Sequence, residues 1–137
     1  MRQEAGYELL EHTADVGVRA RGGTLEELFE QATLGVAEVL GAWRPGAGRT
    51  VALTVEAADL GALLVDWLNE VLYLREVRYG SLGAVTVERV AAERATGSVA
   101  LTSGEPSGGT YVKAATYHGL RVERSGGGWL AEVYLDV

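Results

Sequence analysis

Thr24-Leu25-Glu26-Glu27-Leu28-Phe29-Glu30-Gln31-Ala32-Thr33-Leu34-Gly35-Val36-Ala37-Glu38-Val39-Leu40-Gly41 is a helix with both ends written into it. Thr24 can cap the start, and Glu27 three residues later completes a capping box, so amides left free by the first turn find side-chain acceptors. Leu25, Leu28, Phe29, Ala32, Val36, Val39 and Leu40 recur on one face, the pattern of a helix laid on a core. Gly41 suits the stop, because glycine enters the left-handed conformation at little steric cost. Upstream, Tyr7 to Glu11 reads as a first strand. Val16, Val18 and Ala20 then alternate with Gly17, Arg19 and Arg21, which predicts a second strand after a turn at His12-Thr13-Ala14-Asp15. Arg21-Gly22-Gly23 breaks that strand before the helix.

Downstream, Gly41 to Arg49, with Pro45, reads as a loop, and Val51, Leu53 and Val55 as an alternating strand. Asp59 can cap a second helix. Leu60, Leu63, Leu64, Trp67, Leu68, Val71, Leu72 and Leu74 leave that helix little polar surface, so it is expected to be buried on more than one side, with Trp67 in the core. Asp66, Asn69 and Glu70 face away from Trp67, placed for a sheet edge or solvent. Val85 and Val87, then Val99 and Leu101, predict two strands around Ala95-Thr96-Gly97. Ser103 to Gly109 reads as a mobile, Gly-rich loop and Tyr111 to Glu123 as mostly extended. Ser125-Gly126-Gly127-Gly128 is a hairpin turn, and Trp129 to Val137 a final strand. The order is strand, strand, helix, strand, helix and then a run of strands. It predicts an α+β, two-layer sandwich with two helices packed on one face of a mainly antiparallel sheet. Length and the lack of a dividing linker or repeat predict a single domain over residues 1–137.

The chain carries 12 basic and 19 acidic residues, a net charge of −7, which disfavours direct nucleic-acid binding and favours a basic partner or a cation. No apolar run is long enough to span a bilayer and no signal region opens the chain, so a soluble, cytoplasmic protein without a membrane partner is expected. There is no Cys, which excludes disulfides, thiolate metal sites and thiol catalysis. Eleven of the twelve basic residues are Arg; Lys113 is the one Lys.

His12 and Asp15 share one turn, and Asp136 sits beside Val137 and its carboxylate at the other end of the sequence. If the fold joins the two ends, three carboxylates and an imidazole share a small volume, which calls for a cation. Hard oxygen donors suit Ca²⁺, Mg²⁺ or Mn²⁺, and His12 would tilt the choice toward Mn²⁺ or Zn²⁺. The plainer reading is a turn cap at Asp15, a solvated strand end at Asp136 and a hydrogen-bonding His12. Lys113 reads as a surface ion pair or as a contact to phosphate. His118 reads as a residue that orients the Lys113 strand, or as a ligand or proton carrier. Arg75, Arg78, Arg89, Arg94, Arg121 and Arg124 read as solvating charges. No P-loop and no Gly-x-Ser-x-Gly elbow is present, and Gly126 to Gly128 precede no helix that could cradle a phosphate.

Five stretches taken together resemble the archease family: His12-Thr13-Ala14-Asp15-Val16-Gly17, Thr24-Leu25-Glu26-Glu27-Leu28-Phe29, Leu64-Val65-Asp66-Trp67-Leu68-Asn69-Glu70, Lys113-Ala114-Ala115-Thr116-Tyr117-His118 and Leu135-Asp136-Val137. The resemblance implies a non-enzymatic cofactor of the tRNA-splicing RNA ligase that joins 3′-phosphate or 2′,3′-cyclic-phosphate ends to a 5′-hydroxyl. Such a cofactor promotes guanylylation of the ligase's active-site histidine and multiple turnover, and meets GTP and RNA only through the ligase. It also implies a metal pocket whose acidic residues match Asp15 and Asp136, with a lysine matching Lys113. His12 and the Val137 carboxylate join that set by proximity alone. Two other functions stay open: a chaperone-like modulator of RNA-modifying enzymes, and a metal-dependent phosphoester hydrolase.

Overall fold

The Thr24 N-cap forms as its spacing predicts. In the computed structural model, which describes residues 4–11, 16–46, 48–78, 80–103 and 108–137, Thr24 Oγ1 accepts from the Glu27 amide at 3.1 Å. Gly41 ends the helix at φ 65° and returns its N–H to the Ala37 and Glu38 carbonyls. The elements run β1 (Gly6–Glu11), β2 (Val16–Gly22), α1 (Leu25–Leu40), β3 (Arg49–Glu56), α2 (Leu60–Arg78), β4 (Gly80–Val90), β5 (Arg94–Ser103), β6 (Ala114–Ser125) and β7 (Gly128–Asp136). Asp59 caps α2 through a 2.8 Å bond from the Ala62 amide. Residues 104–107 of the expected Ser103–Gly109 loop lie outside the described residues.

The α+β class and the packing of two helices on antiparallel strands are as expected. The strands divide, however, into a four-stranded sheet, order β1-β2-β7-β6, and a three-stranded sheet, order β3-β5-β4. All pairings between these strands are antiparallel. Each helix contacts both sheets: α1 touches β1, β2, β7 and β4, and α2 touches β6, β3, β5 and β4. That explains the near-absence of a polar side on α2, where Leu63, Leu64, Val65, Trp67, Leu68, Val71 and Leu72 are all buried. Trp67 is core, and its polar atom is satisfied there. Its indole N–H donates to Thr33 Oγ1 at 3.0 Å, and the Thr33 hydroxyl donates to the Phe29 carbonyl at 2.7 Å. No helix among the described residues is long and apolar enough to cross a membrane.

The helices also close sheet edges. Glu30 accepts from the Val87 amide at 2.8 Å and Glu26 from the Val90 amide at 2.7 Å, so two carboxylates of α1 satisfy N–H groups along the outer edge of β4. On the face of the four-stranded sheet opposite α1, Glu8, Arg19, Glu132 and Arg121 stand side by side in register. Glu132, nearly buried, takes Arg121 at 3.0 Å and Arg19 at 3.5 Å. Glu8 takes Arg21 at 2.9 Å and Arg19 at 3.3 Å, and hydrogen bonds from Arg21, then Arg19, lower its pKa from the ordinary carboxyl value. Arg121 thus belongs to an ion-pair row, and Arg124 lies over the Trp129 ring, 4.7 Å from its centroid. Both do more than solvate a strand.

The hairpin at Gly126-Gly127 forms with φ 55° and 81°, the two positive values of a type I′ turn. The turn expected at Ala95-Thr96-Gly97 is displaced. Those residues lie inside β5, and the chain reverses at Ala91-Ala92-Glu93, closed by a 2.8 Å bond from the Ala91 amide to the Arg94 carbonyl. Gly97 serves close packing: a Cβ there would press on the Thr86 carbonyl oxygen and stand 2.9 Å from the Trp67 ring. Gly97→Val is accordingly expected to destabilise the fold by about 2 kcal/mol or more, read from the urea midpoint, whereas Ala92→Gly in the true turn should change it far less.

Candidate functional site

β7 is flanked on both sides, and its last residues fix the site. Val16 of β2 pairs with Leu135, and Ala115 of β6 pairs with Leu135 from the other side. The next β7 position, Asp136, pairs with Ala114, and the Lys113 amide donates to the Asp136 carbonyl at 2.8 Å. Leu135, Ala115 and Val112 are buried and anchor this end in the core, while Asp136 and Lys113 are exposed. Alternation along the strand does this: an inward residue holds the backbone while its neighbour faces water.

α2 fixes the other edge of β6. Asn69 accepts from the Ala115 amide at 2.7 Å and donates to the Ala115 carbonyl at 3.2 Å. One carboxamide therefore stands in for a neighbouring strand at the residue that pairs with Leu135. The expectation that Asn69 meets a sheet edge is met. One turn earlier on α2, Asp66 accepts from the Tyr117 hydroxyl at 3.4 Å. Partial burial, then the Asp66 charge, raises the Tyr117 phenol above its usual value. Sequence reasoning missed a further support. A Cβ on Gly17 would stand 2.8 Å from the Tyr134 ring and one on Gly119 2.9 Å from it, so two glycines clear the space this ring fills. Gly17, in the middle of an alternating strand pattern, was the available signal.

The structure brings Asp136, Val137 and Lys113 to one strand end. The Lys113 ammonium has no ion-pair partner among the described residues. His118 is exposed on β6 beyond Thr116, which pairs with Tyr134. It sits where the β6–β7 register shifts and Gly119 turns to φ 70°. The register does not carry it to Asp136. His12 and Asp15 lie outside the described residues. The register does put Val16, the residue after Asp15, opposite Leu135, the residue before Asp136. Among the described residues no three His, Asp or Glu side chains converge as a metal cluster. The exposed Asp136 carboxylate is a hard oxygen donor of the type that Ca²⁺, Mg²⁺ or Mn²⁺ takes, and one such donor is short of the several oxygens those ions need.

The Archease protein family model matches residues 7–137. An archease of Methanosarcina mazei is 43% identical, the match covering 96% of this chain and 95% of that protein. An archease of Pyrococcus furiosus is 34% identical over the full length of both. The solution structure of protein 1598 from Methanobacterium thermoautotrophicum superposes with a TM-score of 0.70 at 30% identity, covering 96% of this chain and 99% of that one. The crystal structure of a Thermotoga maritima archease, described as a possible chaperone, does so with a TM-score of 0.65 at 25% identity, covering 95% and 96%.

Asn69→Ala would leave the Ala115 amide and carbonyl without their side-chain partner. The expected cost is about 2 kcal/mol in urea unfolding, with faster hydrogen exchange concentrated at the Ala115 amide. Exchange at Ala115 equal to that of the wild type would remove Asn69 as the fastener of this edge.

Proposed function

The chain belongs to the archease family, and from that premise we propose that it is a non-enzymatic, cytoplasmic protein cofactor of the tRNA-splicing RNA ligase. In this reading Asp15 and Asp136 hold a divalent cation, Ca²⁺, Mg²⁺ or Mn²⁺, with His12 and the Val137 carboxylate as further donors. The observation that carries it is the register at the end of β7. Val16 and Leu135 face each other, so Asp15 and Asp136 are each one peptide link from a paired residue. The second support is the bond from the Lys113 amide to the Asp136 carbonyl, which sets the chain's one lysine at the same strand end.

The tip formed by this strand end enters the ligase's nucleotide cleft. There the ligase histidine nitrogen forms a bond to the α-phosphorus of GTP while the bond from that phosphorus to its bridging oxygen breaks and pyrophosphate leaves. A divalent cation at the tip would supply charge neutralisation and orientation for the phosphates. Asp136 contributes a carboxylate that follows Leu135, a buried residue paired on both edges of β7, a rigid placement that positioning requires. Lys113 offers its ammonium to a phosphate oxygen and offsets surplus carboxylate charge when the tip is free. RNA and GTP are met only through the ligase, consistent with the net charge of −7.

The description of the Thermotoga maritima relative as a possible chaperone favours a second reading, a chaperone-like modulator of RNA-modifying enzymes. One experiment separates the two. The organism's RNA ligase, GTP and Mn²⁺ are mixed with this protein, and covalent ligase–GMP is measured over time. Asp15→Ala and Asp136→Ala are expected to keep the wild-type fold and lose stimulation by more than about tenfold. Full stimulation by both folded variants would sink the cofactor site. Binding to several unrelated RNA-modifying enzymes, unaffected by either substitution, would favour the chaperone reading.

A further inference from the structure

On another side of the molecule, Tyr7 of β1 and Trp43, just past the end of α1, stand over the last turn of that helix. With Leu34, Ala37, Glu38 and Gly41 they line a cleft of about 330 Å³. Both rings are well exposed, Tyr7 at 36% and Trp43 at 39%, so neither is spent on the core. Both are nevertheless held. The Tyr7 ring lies against Gly35, where a Cβ would stand 3.2 Å from its Cδ1 atom. The segment carrying Trp43 is tied to β4 on both sides of that residue, by the Leu82 amide to the Ala42 carbonyl at 2.7 Å and the Arg44 amide to the Leu82 carbonyl at 2.8 Å. Rigid, exposed Trp and Tyr side chains are the residue types that dominate binding hot spots.

Three features of this cleft attract positive charge, and they are independent. Glu38 contributes a carboxylate; burial first, then this charge, raises the Tyr7 phenol above its usual value. The two ring faces carry the negative side of the aromatic quadrupole. The C-terminal end of α1 carries the negative end of the helix dipole, and its last turn has no basic residue to offset it. Among the described residues no basic side chain lines the cleft. One carboxylate between aromatic walls is a poor donor set for a metal ion, which needs several oxygens. It suits a flat organic cation, and a guanidinium can stack on an aromatic ring and pair with a carboxylate at once.

We propose that the Tyr7–Trp43 cleft is a socket for one arginine side chain presented by the protein partner. The identity of that partner rests on the ligase reading; the chemistry of the socket does not. The chain's net charge of −7 further favours a basic contact surface opposite it.

Two measurements test it. In the first, acetyl-arginine-methylamide is titrated into the isolated protein and followed by the Trp43 indole N–H and Tyr7 ring resonances. Selective shifts are expected, and weak or absent ones with the neutral citrulline counterpart. Equal responses to both probes, or none to either, would overturn the socket. In the second, ligase binding is measured for Trp43→Ala and the milder Glu38→Gln, with Glu88→Gln, an exposed carboxylate of β4 outside both the cleft and the strand end, as the charge-matched control. Both cleft variants are expected to bind at least about tenfold more weakly, with unchanged folds, while Glu88→Gln binds as the wild type does. Wild-type affinity in both cleft variants would overturn the assignment. Selective arginine shifts in a protein that fails to bind active ligase would contradict the ligase reading and uphold the socket.

Discussion

β7 is hydrogen-bonded along both edges, to β2 on one side and β6 on the other, and the candidate site depends on that double pairing. A strand held on one side can slip; one held on both, with Leu135, Val133 and Ala131 buried on one face, cannot move a single residue without turning its apolar set to water. The register therefore fixes which residues stand beside Asp136. It also joins distant parts of the sequence: β2 comes from the first quarter of the chain and β7 from its end, and neither meets the other until the sheet is assembled.

The helices make this assembly possible by supplying polar atoms as well as apolar surface. Sheet edges left open need partners for their amides. Glu26 and Glu30 of α1 satisfy β4, and Asn69 of α2 satisfies β6 beside the site. Each helix also packs against both sheets, so one change in α2 reaches the strand end through Asn69 and the core through Trp67. The Tyr7–Trp43 cleft is built from the opposite logic. Its rings stand outside the core on a fixed backbone, an arrangement that contributes little to folding and much to recognition.

Local chemistry was readable in the sequence where one segment decides it. The Thr24 cap, the Gly41 stop, the Gly126-Gly127 turn and the all-round burial of α2 each depend on residues within a few positions. Partner choice was not readable. Alternation at Val51, Leu53 and Val55 predicts a strand but does not say which sheet it joins, so two sheets read as one. Gly97 was misread as a turn residue because a glycine that admits a carbonyl and an indole looks, in sequence, like one that reverses the chain. At the site, Asp136 could be placed on a strand end by pattern. The approach of Lys113 through its main-chain N–H could not, since a backbone bond leaves no mark in side-chain identity. Tyr7 and Trp43 line one cleft only because β1 packs on α1 while the segment after α1 is tied to β4.

The central claim is that the end of β7, beside Val16, is where a cation is held. Substoichiometric Mn²⁺ added to the isotope-labelled protein tests it directly, because the paramagnetic ion broadens amides near its site. The account predicts the strongest broadening at Val16, Leu135, Asp136 and Lys113, with the Gly126-Gly127 turn at the other end of β7 unaffected. Broadening centred instead on the acidic side chains of α2, around Asp66 and Glu70, with Asp136 unperturbed, would contradict it.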